Sequence, residues 1–528
     1  MFIKSFSFKI ILLLFASFLF SISSSVTSWI VYVPVLILVH NVSLRFSWIW
    51  GGIYGFLSYL FYATWLVSFS VPASIGVFFL YFLLLSLLFL LLKLADLNCK
   101  KSYLVQWILL CAFEYLKTTG FLGFSYGVTA YSHWKNIFFI QCCDIFGVFG
   151  LNSVILFFSA YVYKIILQFN DNKISIRNIL HYIFHDKVFY FFILTLFVIY
   201  VYGFISLCKK SNVETINVAA IQNNSDPWKI GFNTYKDEVD TLVELTDSVL
   251  NKYPDVELVV WPETAVIPSI IKNYYNPSDI KRKELITELL EYFYSKDCGF
   301  VVGNYHVEQN GLDSQDFNSA FLFIPKENVL PPNPLIYSKV HLVPITEYFP
   351  YENIFPNLYK ILLAGDTHLW TPGSEYSVFK YKNLNFSTPI CFEDTFGNDC
   401  RQFVKNGARA FINLSNDAWS KSKRCQNQHL SMAVFRSVEN KVPSVRSSAS
   451  GMTCIIDRFG RITEISEPFQ ENYVYGKIEF SNDLVTVYSK IGDVVGFIFV
   501  ILATILVAKI FLGLAFRRNF NNRRNSSI

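Results

Sequence analysis

Charge is what this chain has least of: Asp, Glu, Lys and Arg make up 16% of its 528 residues, where a soluble protein carries about a quarter. The shortage is local. Residues 1–207 are long apolar runs, 209–485 read like an ordinary globular domain, and the boundary near Cys208, Lys209 and Lys210 marks a change of solvent. No arginine-rich stripe accompanies the net charge of +5, so nucleic acid is not implied. Much of the basic excess lies in loops beside apolar runs, where membrane topology accounts for it. Zinc-like spacing is missing among the ten cysteines, as is the density of a small disulfide scaffold. Cys99, Cys111, Cys142 and Cys143 lie in or beside apolar runs and read as small apolar residues. One or two disulfides among Cys298, Cys400, Cys425 and Cys454 stay open. A small-x-small cleavage site is also missing. Lys4 and Lys9 lead into an apolar core ending at Ser23-Ser24-Ser25, but further runs follow at once, so this is an uncleaved helix.

What fills the space is hydrophobic: 53% of residues, including 53 Phe. A membrane helix needs ~20 mostly apolar residues, and candidate spans fall at roughly 8–24, 26–41, 47–68, 74–92, 103–121, 145–163, 188–207 and 491–514. If all are real, Lys4, Lys9, Arg45, Lys93, Lys100, Lys101, Lys164, Lys173, Arg177, Lys187, Arg517, Arg518, Arg523 and Arg524 share one side. That side is cytoplasmic, and the globular domain between spans seven and eight faces the other, the periplasm of a bacterial inner membrane. The expected division is 1–208, a bundle of about seven helices; 209–485, the globular domain; and 486–528, a last helix with a basic cytoplasmic tail. Glu114 is the only clear carboxylate in a span apart from the terminal Asp493. It is either a functional group or an ion pair with Lys117.

In the globular domain, Ile216–Gln222, Glu257–Trp261, Gly299–Tyr305, Ala320–Ile324, Leu384–Ile390 and Ala410–Leu414 look like buried strands. Helical patterns at 235–251, 280–296 and 426–440 alternate with several of them, which predicts an α/β layered domain. Chemistry in such sheets gathers at strand carboxyl ends, and three polar residues sit there. Glu263 follows Val259-Val260-Trp261-Pro262, Lys339 follows Leu335-Ile336-Tyr337-Ser338, and Cys391 follows Phe386-Ser387-Thr388-Pro389-Ile390. Each alone is unremarkable: strand-end Glu is usually solvated, lone Lys is surface, strand-end Cys is core. Their combination and order depart from chance.

With Trp261-Pro262-Glu263-Thr264, Tyr337-Ser338-Lys339-Val340-His341-Leu342-Val343-Pro344, Glu347-Tyr348 and Ile390-Cys391-Phe392-Glu393, the chain resembles the nitrilase superfamily and its Glu–Lys–Cys triad. Asn413–Trp419, Gln428-His429-Leu430 and Arg436–Asn440 add to the match, and the helices before and after it narrow the resemblance to the apolipoprotein N-acyltransferase family. The resemblance implies an α-helical transmembrane bundle plus an extracytoplasmic α-β-β-α sandwich. It also implies transfer of an acyl chain from a phospholipid, through a thioester on Cys391, to the amine of a diacylated apolipoprotein. Glu263 would be the general base and Lys339 the oxyanion stabiliser, with no metal or organic cofactor and a monomer in the bilayer. Glu347, Glu393, Trp228 and Trp419 would support the site or bind substrate, while His341 and His429 read as structural. The family commonly has Tyr after the nucleophile, where this chain has Phe392. The other reading of the same triad is a membrane-anchored nitrilase-like amidase. In the long apolar connection between Glu347 and Cys391, the half nearest Glu347 either packs onto the domain's own core or joins a lid, and Ile354–Leu363 reads as an amphipathic arm at the membrane interface.

Overall fold

A long apolar stretch can hide its backbone N–H and C=O groups from lipid only by pairing them within a helix. In the computed structural model, which describes residues 5–69, 71–169, 176–209, 212–310, 313–363, 368–482 and 485–525, all eight expected spans contain helix. They are Phe6–Ser21, Val33–Asn41, Leu44–Tyr62, Val71–Asn98, Ser102–Leu116, Cys143–Phe169, Lys187–Cys208 and Val494–Asn525. Among the described residues, four are long and apolar enough to cross a membrane: Val71–Asn98, Cys143–Phe169, Lys187–Cys208 and Val494–Arg517. Two expected spans are less regular than the sequence suggests. Residues 26–41 start as a 3₁₀ turn, Thr27–Ile30, before the helix proper, and Cys143–Phe169 breaks at Gly147, where φ is 64°. Lys4, Lys173, Lys210 and the side chains of Leu358, Arg518, Arg523 and Arg524 lie outside the described residues.

The chain divides into two units, Met1–Ser206 with Asp493–Ile528, and Leu207–Gly492. In the first, Leu44–Tyr62 lies so close to Val71–Asn98 that a Cβ on Gly55 would come 2.2 Å from the Tyr81 carbonyl. Small residues permit such approaches between apolar helices, and here Tyr59 stacks on Tyr81 at 3.3 Å. Glu114 is buried with its charge answered. Lys117 Nζ lies 3.3 Å from its carboxylate, the Tyr32 hydroxyl donates to it, and so does the Thr129 N–H at 3.1 Å. Lys117 also donates to the Gly127 carbonyl at 2.8 Å. Of the two readings of Glu114, the ion pair is the one the geometry favours: it ties down the loop that follows its helix.

The second unit holds β1 (Glu214–Gln222), β2 (Leu258–Val260), β3 (Gly299–Asn310), β4 (Asp313–Phe323), β5 (Leu335–Ser338), β6 (Phe379–Tyr381), β7 (Leu384–Phe386), β8 (Phe411–Ser415), β9 (Ser444–Ser448), β10 (Cys454–Ile456), β11 (Ile462–Ile465) and β12 (Asn472–Phe480). One sheet runs β12-β1-β2-β3-β4-β5, the other β11-β10-β9-β8, and β6-β7 is a separate hairpin. Strands buried on both faces carry nearly unbroken apolar runs, and β1 shows why. Ile216, Val218 and Ala220 face a core shared with Ile412, Leu414 and Val445 of the second sheet. Ala219 and Ile221 face the other way, onto Val239 and Leu242 of helix Phe232–Lys252 and Leu289 and Phe293 of helix Ile280–Ser295. Cys400 and Phe403 of helix Gly397–Lys405 join the core between the sheets. The result is the expected helix–sheet–sheet–helix layering.

One strand expectation needs correction. Leu384–Ile390 is not one strand: 384–386 pairs with β6, while Ser387 and Ile390 make single bridges to β8, because Pro389 has no N–H to continue a ladder. Strands β9 to β12 are additional to those expected: β9, Ser-Val-Arg-Ser-Ser, is buried at every position yet carries one apolar side chain, and β10, Cys-Ile-Ile, is apolar but only three residues long. All ten cysteines are free thiols, including the four left open to disulfides. The expected arm contains the short helix Pro356–Leu363, with Ile354, Phe355, Ile361 and Leu363 exposed.

Candidate active site

Glu263 leaves the end of β2 in a turn pressed onto β3. A Cβ on Gly303 would stand 2.2 Å from the Pro262 carbonyl oxygen and 2.6 Å from the Thr264 nitrogen, so only glycine lets the turn sit there. Asn304 holds the far end of the loop, accepting from the Ile270 N–H at 3.0 Å and donating to the Pro268 carbonyl at 3.1 Å. The buried Glu263 carboxylate accepts from Asn318 Nδ2 at 2.8 Å. Burial pushes its pKa up, against the opposing pull of Lys339, Asn318 and the Cys391 thiol.

Lys339 follows β5, its N–H donating to the Asn318 carbonyl at 2.8 Å. Its ammonium is wholly buried between two carboxylates, 2.9 Å from Glu347 and 3.5 Å from Glu263. Burial disfavours the charged amine, but Glu347, Glu263 and Cys391 outweigh it, so its pKa is raised and Lys339 stays protonated. Glu347 is fixed in turn by the Val343 N–H, 2.7 Å from its second oxygen.

Cys391 opens a 3₁₀ turn, Cys391–Thr395, with φ at +48°, a backbone region that residues other than glycine seldom occupy. It is 9% exposed. Burial, then the negative charge of Glu263, push its thiol well above the usual range, with Lys339 opposing. The resting site therefore pairs a neutral thiol with a nearby carboxylate that can take its proton.

Glu393 joins the two loops. Its Oε1 accepts from the Tyr337 hydroxyl at 2.7 Å and from the Val340 and His341 N–H groups at 2.8 and 3.0 Å. Its Oε2 accepts from the Ile390 N–H at 2.7 Å. One buried carboxylate thus holds the Lys339 segment against the residue before Cys391. Phe392 is buried edge-on to Phe396 at 4.9 Å, so the aromatic packing of that position is kept without a hydroxyl.

The geometry gathers Glu263, Lys339, Cys391, Glu347 and Glu393. The two tryptophans are placed differently. Trp228 lies 47% exposed on the loop after β1, which is tied to the segment after β9 by the Asn224 N–H to the Ala449 carbonyl, 2.6 Å. Trp419 is half-buried in the turn after Asp417. Asn318 escaped the sequence reading, since a single Asn in the antiparallel β4 gives no pattern. His429 was read as merely structural, yet both its ring nitrogens face charged partners beneath Cys391.

Comparison with known proteins brings in both units. The carbon-nitrogen hydrolase family matches residues 217–482, and the apolipoprotein N-acyltransferase N-terminal domain matches 12–161. The chain is 38% identical to apolipoprotein N-acyltransferase 1 of Treponema denticola over 89% of its own length and 88% of that protein's. It is 36% identical to apolipoprotein N-acyltransferase 1 of Treponema pallidum over 88% and 87%. Against the apolipoprotein N-acyltransferase of Borreliella burgdorferi it is 28% identical over 79% and 76%.

Proposed function

The chain belongs to the apolipoprotein N-acyltransferase family, and from that premise we propose that it moves an acyl chain from a phospholipid to the α-amine of diacylglyceryl-cysteine on apolipoproteins, through a thioester on Cys391. The observation that carries the reading is the buried ammonium of Lys339 between Glu263 and Glu347, with the buried Cys391 thiol in the electrostatic field of both Glu263 and Lys339.

In the first half-reaction Glu263 takes the Cys391 proton as sulfur bonds to the ester carbonyl carbon. The oxyanion that forms is stabilised by Lys339 and by a backbone N–H at the start of the Cys391–Thr395 turn. Collapse breaks the carbon–oxygen bond, and the proton on Glu263 goes to the departing lysophospholipid oxygen. In the second half the acceptor amine adds to the thioester, Glu263 takes a proton from that nitrogen, and sulfur leaves and is reprotonated. Ester and amine become alcohol and amide, with no net change in Glu263, Lys339 or Cys391. Splitting the transfer into two steps avoids a direct attack of amine on ester.

The catalytic unit faces the periplasm and the helices span the inner membrane, in keeping with Arg45, Lys93, Lys100, Lys101, Lys164, Arg177 and Lys187 sharing one side of the expected topology. The enzyme acts as a monomer in the bilayer. The amidase alternative is not favoured, because the relatives that cover nearly the whole chain are acyltransferases. Incubating purified protein with phospholipid and a synthetic diacylated lipopeptide tests the reading. A lipopeptide gaining one acyl mass at its amine supports it; free fatty acid with unmodified lipopeptide contradicts it.

A further inference from the structure

The carbonyl of Cys391 points at a buried group that the chemistry above does not use. His429, on helix Lys423–Asn440, places Nε2 3.3 Å from that carbonyl oxygen and 2.8 Å from Asp394 Oδ1. Its Nδ1 lies 3.0 Å from Asp417 Oδ1. Arg446, from β9, pairs with Asp394 and lies 3.9 Å from Asp417. His429, Asp394, Asp417 and Arg446 are each at most 4% exposed, and they come from a helix, the 3₁₀ turn, the loop after β8 and a strand. Ionised carboxylates and carbonyls only accept hydrogen bonds, so a ring with acceptors at both nitrogens is satisfied only when both carry protons. The charge count agrees: two carboxylates are balanced by one guanidinium and one imidazolium, whereas a neutral ring would leave a buried negative charge beneath the nucleophile.

We propose that His429, held as a doubly protonated imidazolium between Asp394 and Asp417, is a positioning residue that pins the Cys391 carbonyl and so fixes the left-handed turn presenting the thiol. A non-glycine residue at φ +48° persists only where its surroundings over-determine it, and the hydrogen bond from Nε2 adds a constraint to the one Glu393 places on the Ile390 N–H. Burial lowers the ring's pKa, but Asp417, the Cys391 carbonyl and Glu263 outweigh it, so the pKa is raised, in the direction the role requires. The inference rests on reading Cys391 as the nucleophile.

Two double variants separate positioning from simple charge balance. Gln carries its amide nitrogen where the imidazole has Nε2, and Asn where it has Nδ1. Asp417→Asn removes the carboxylate that a neutral residue 429 would strand. His429→Gln with Asp417→Asn should keep the donor to Cys391, and His429→Asn with Asp417→Asn should lose it. Displacing a reacting group by an ångström costs about 10²-fold, so the Asn pair should lose about 10²-fold in kcat with KM for phospholipid little changed. The Gln pair should stay within about tenfold of the parent. Alkylation of Cys391 by iodoacetamide should fall in the same order. It needs no lipid, so the expected alkylation order without acyl transfer in any form would refute the proposed reaction and keep the positioning role. Equal alkylation rates in the two pairs would overturn it. Should either pair fail to fold, ¹⁵N-histidine NMR of the unmodified protein at pH 8 decides alone. A ring with both nitrogens protonated supports the role, and eight neutral rings overturn it.

Discussion

Removing Glu393 should damage both the stability and the activity of the catalytic unit, although its side chain takes no part in proton transfer. Its carboxylate accepts four hydrogen bonds, three at Oε1 and one at Oε2, and is fully buried. In Glu393→Gln the amide oxygen can keep the three donors of Tyr337, Val340 and His341. The NH2 group then meets the Ile390 N–H, donor against donor. That orphaned N–H costs ~1–3 kcal/mol, and three bonds weaken from charge-assisted to neutral, while a buried charge is relieved. The net loss is about 3 kcal/mol, which for a domain of this size lowers the melting temperature by about 6–12 °C. Glu393→Ala strands all four donors; at ~1–2 kcal/mol each after water enters, the loss is ~4–8 kcal/mol, comparable with the whole stability of a domain. Thermal unfolding of both variants in detergent, followed by tryptophan fluorescence, tests the figures alongside the rate of acyl adduct formation. The order should be parent, Gln, Ala in both readouts. An Ala variant melting within 2 °C of the parent and forming adduct at the parent rate would refute the idea that this carboxylate binds the two loops together.

The pH dependence of thioester formation should report Glu263. Protonated Glu263 cannot take the thiol proton, so the rate falls as pH drops through its pKa; burial raises that pKa, and the acid limb should lie above the ordinary carboxylate range. Asn318→Ala removes a hydrogen bond to the ionised form and should move that limb to still higher pH in a pH–rate profile; an unmoved limb would mean another group titrates. Phe355→Ser with Ile361→Ser, which removes two exposed apolar side chains from the arm around Pro356–Leu363, should slow acylation from bilayer phospholipid more than from a short soluble ester. Equal losses with both donors would remove the arm from any membrane role.

Much of this architecture is legible in the sequence because burial on two faces writes long apolar runs. The central strands β1 and β2 and the apolar spans announce themselves that way, and the helices Phe232–Lys252, Ile280–Ser295 and Lys423–Asn440 by their helical spacing of apolar residues. So do Glu263, Lys339 and Cys391, each a polar residue closing an apolar run. The pattern fails where burial is polar. Ser444–Ser448 holds a buried strand in which Arg446 and Ser447 find partners distant in sequence, Asp394 for the first and the Ile221 carbonyl at 2.7 Å for the second. Of the long β3–β4 hairpin the apolar pattern marks only Gly299–Tyr305 and Ala320–Ile324, because Glu308, Ser314 and Gln315 are exposed and polar and the buried Asn318 and Ser319 interrupt the apolar run. Asn318 and His429 could not be assigned from spacing. Their partners, Glu263 at one site and Asp394 with Cys391 at the other, are brought to them by tertiary packing alone.

The central claim is that Cys391 carries the acyl chain between donor and acceptor. Intact-mass spectrometry of the purified enzyme after incubation with a single defined phospholipid tests it most directly, with peptide mapping to locate any adduct and a chase with diacylated lipopeptide. The mechanism predicts a gain of one acyl mass on Cys391 that is lost on addition of the lipopeptide, and no such gain in Cys391→Ala. An acyl group on another residue, or a Cys391→Ala protein that still N-acylates the lipopeptide, would contradict it.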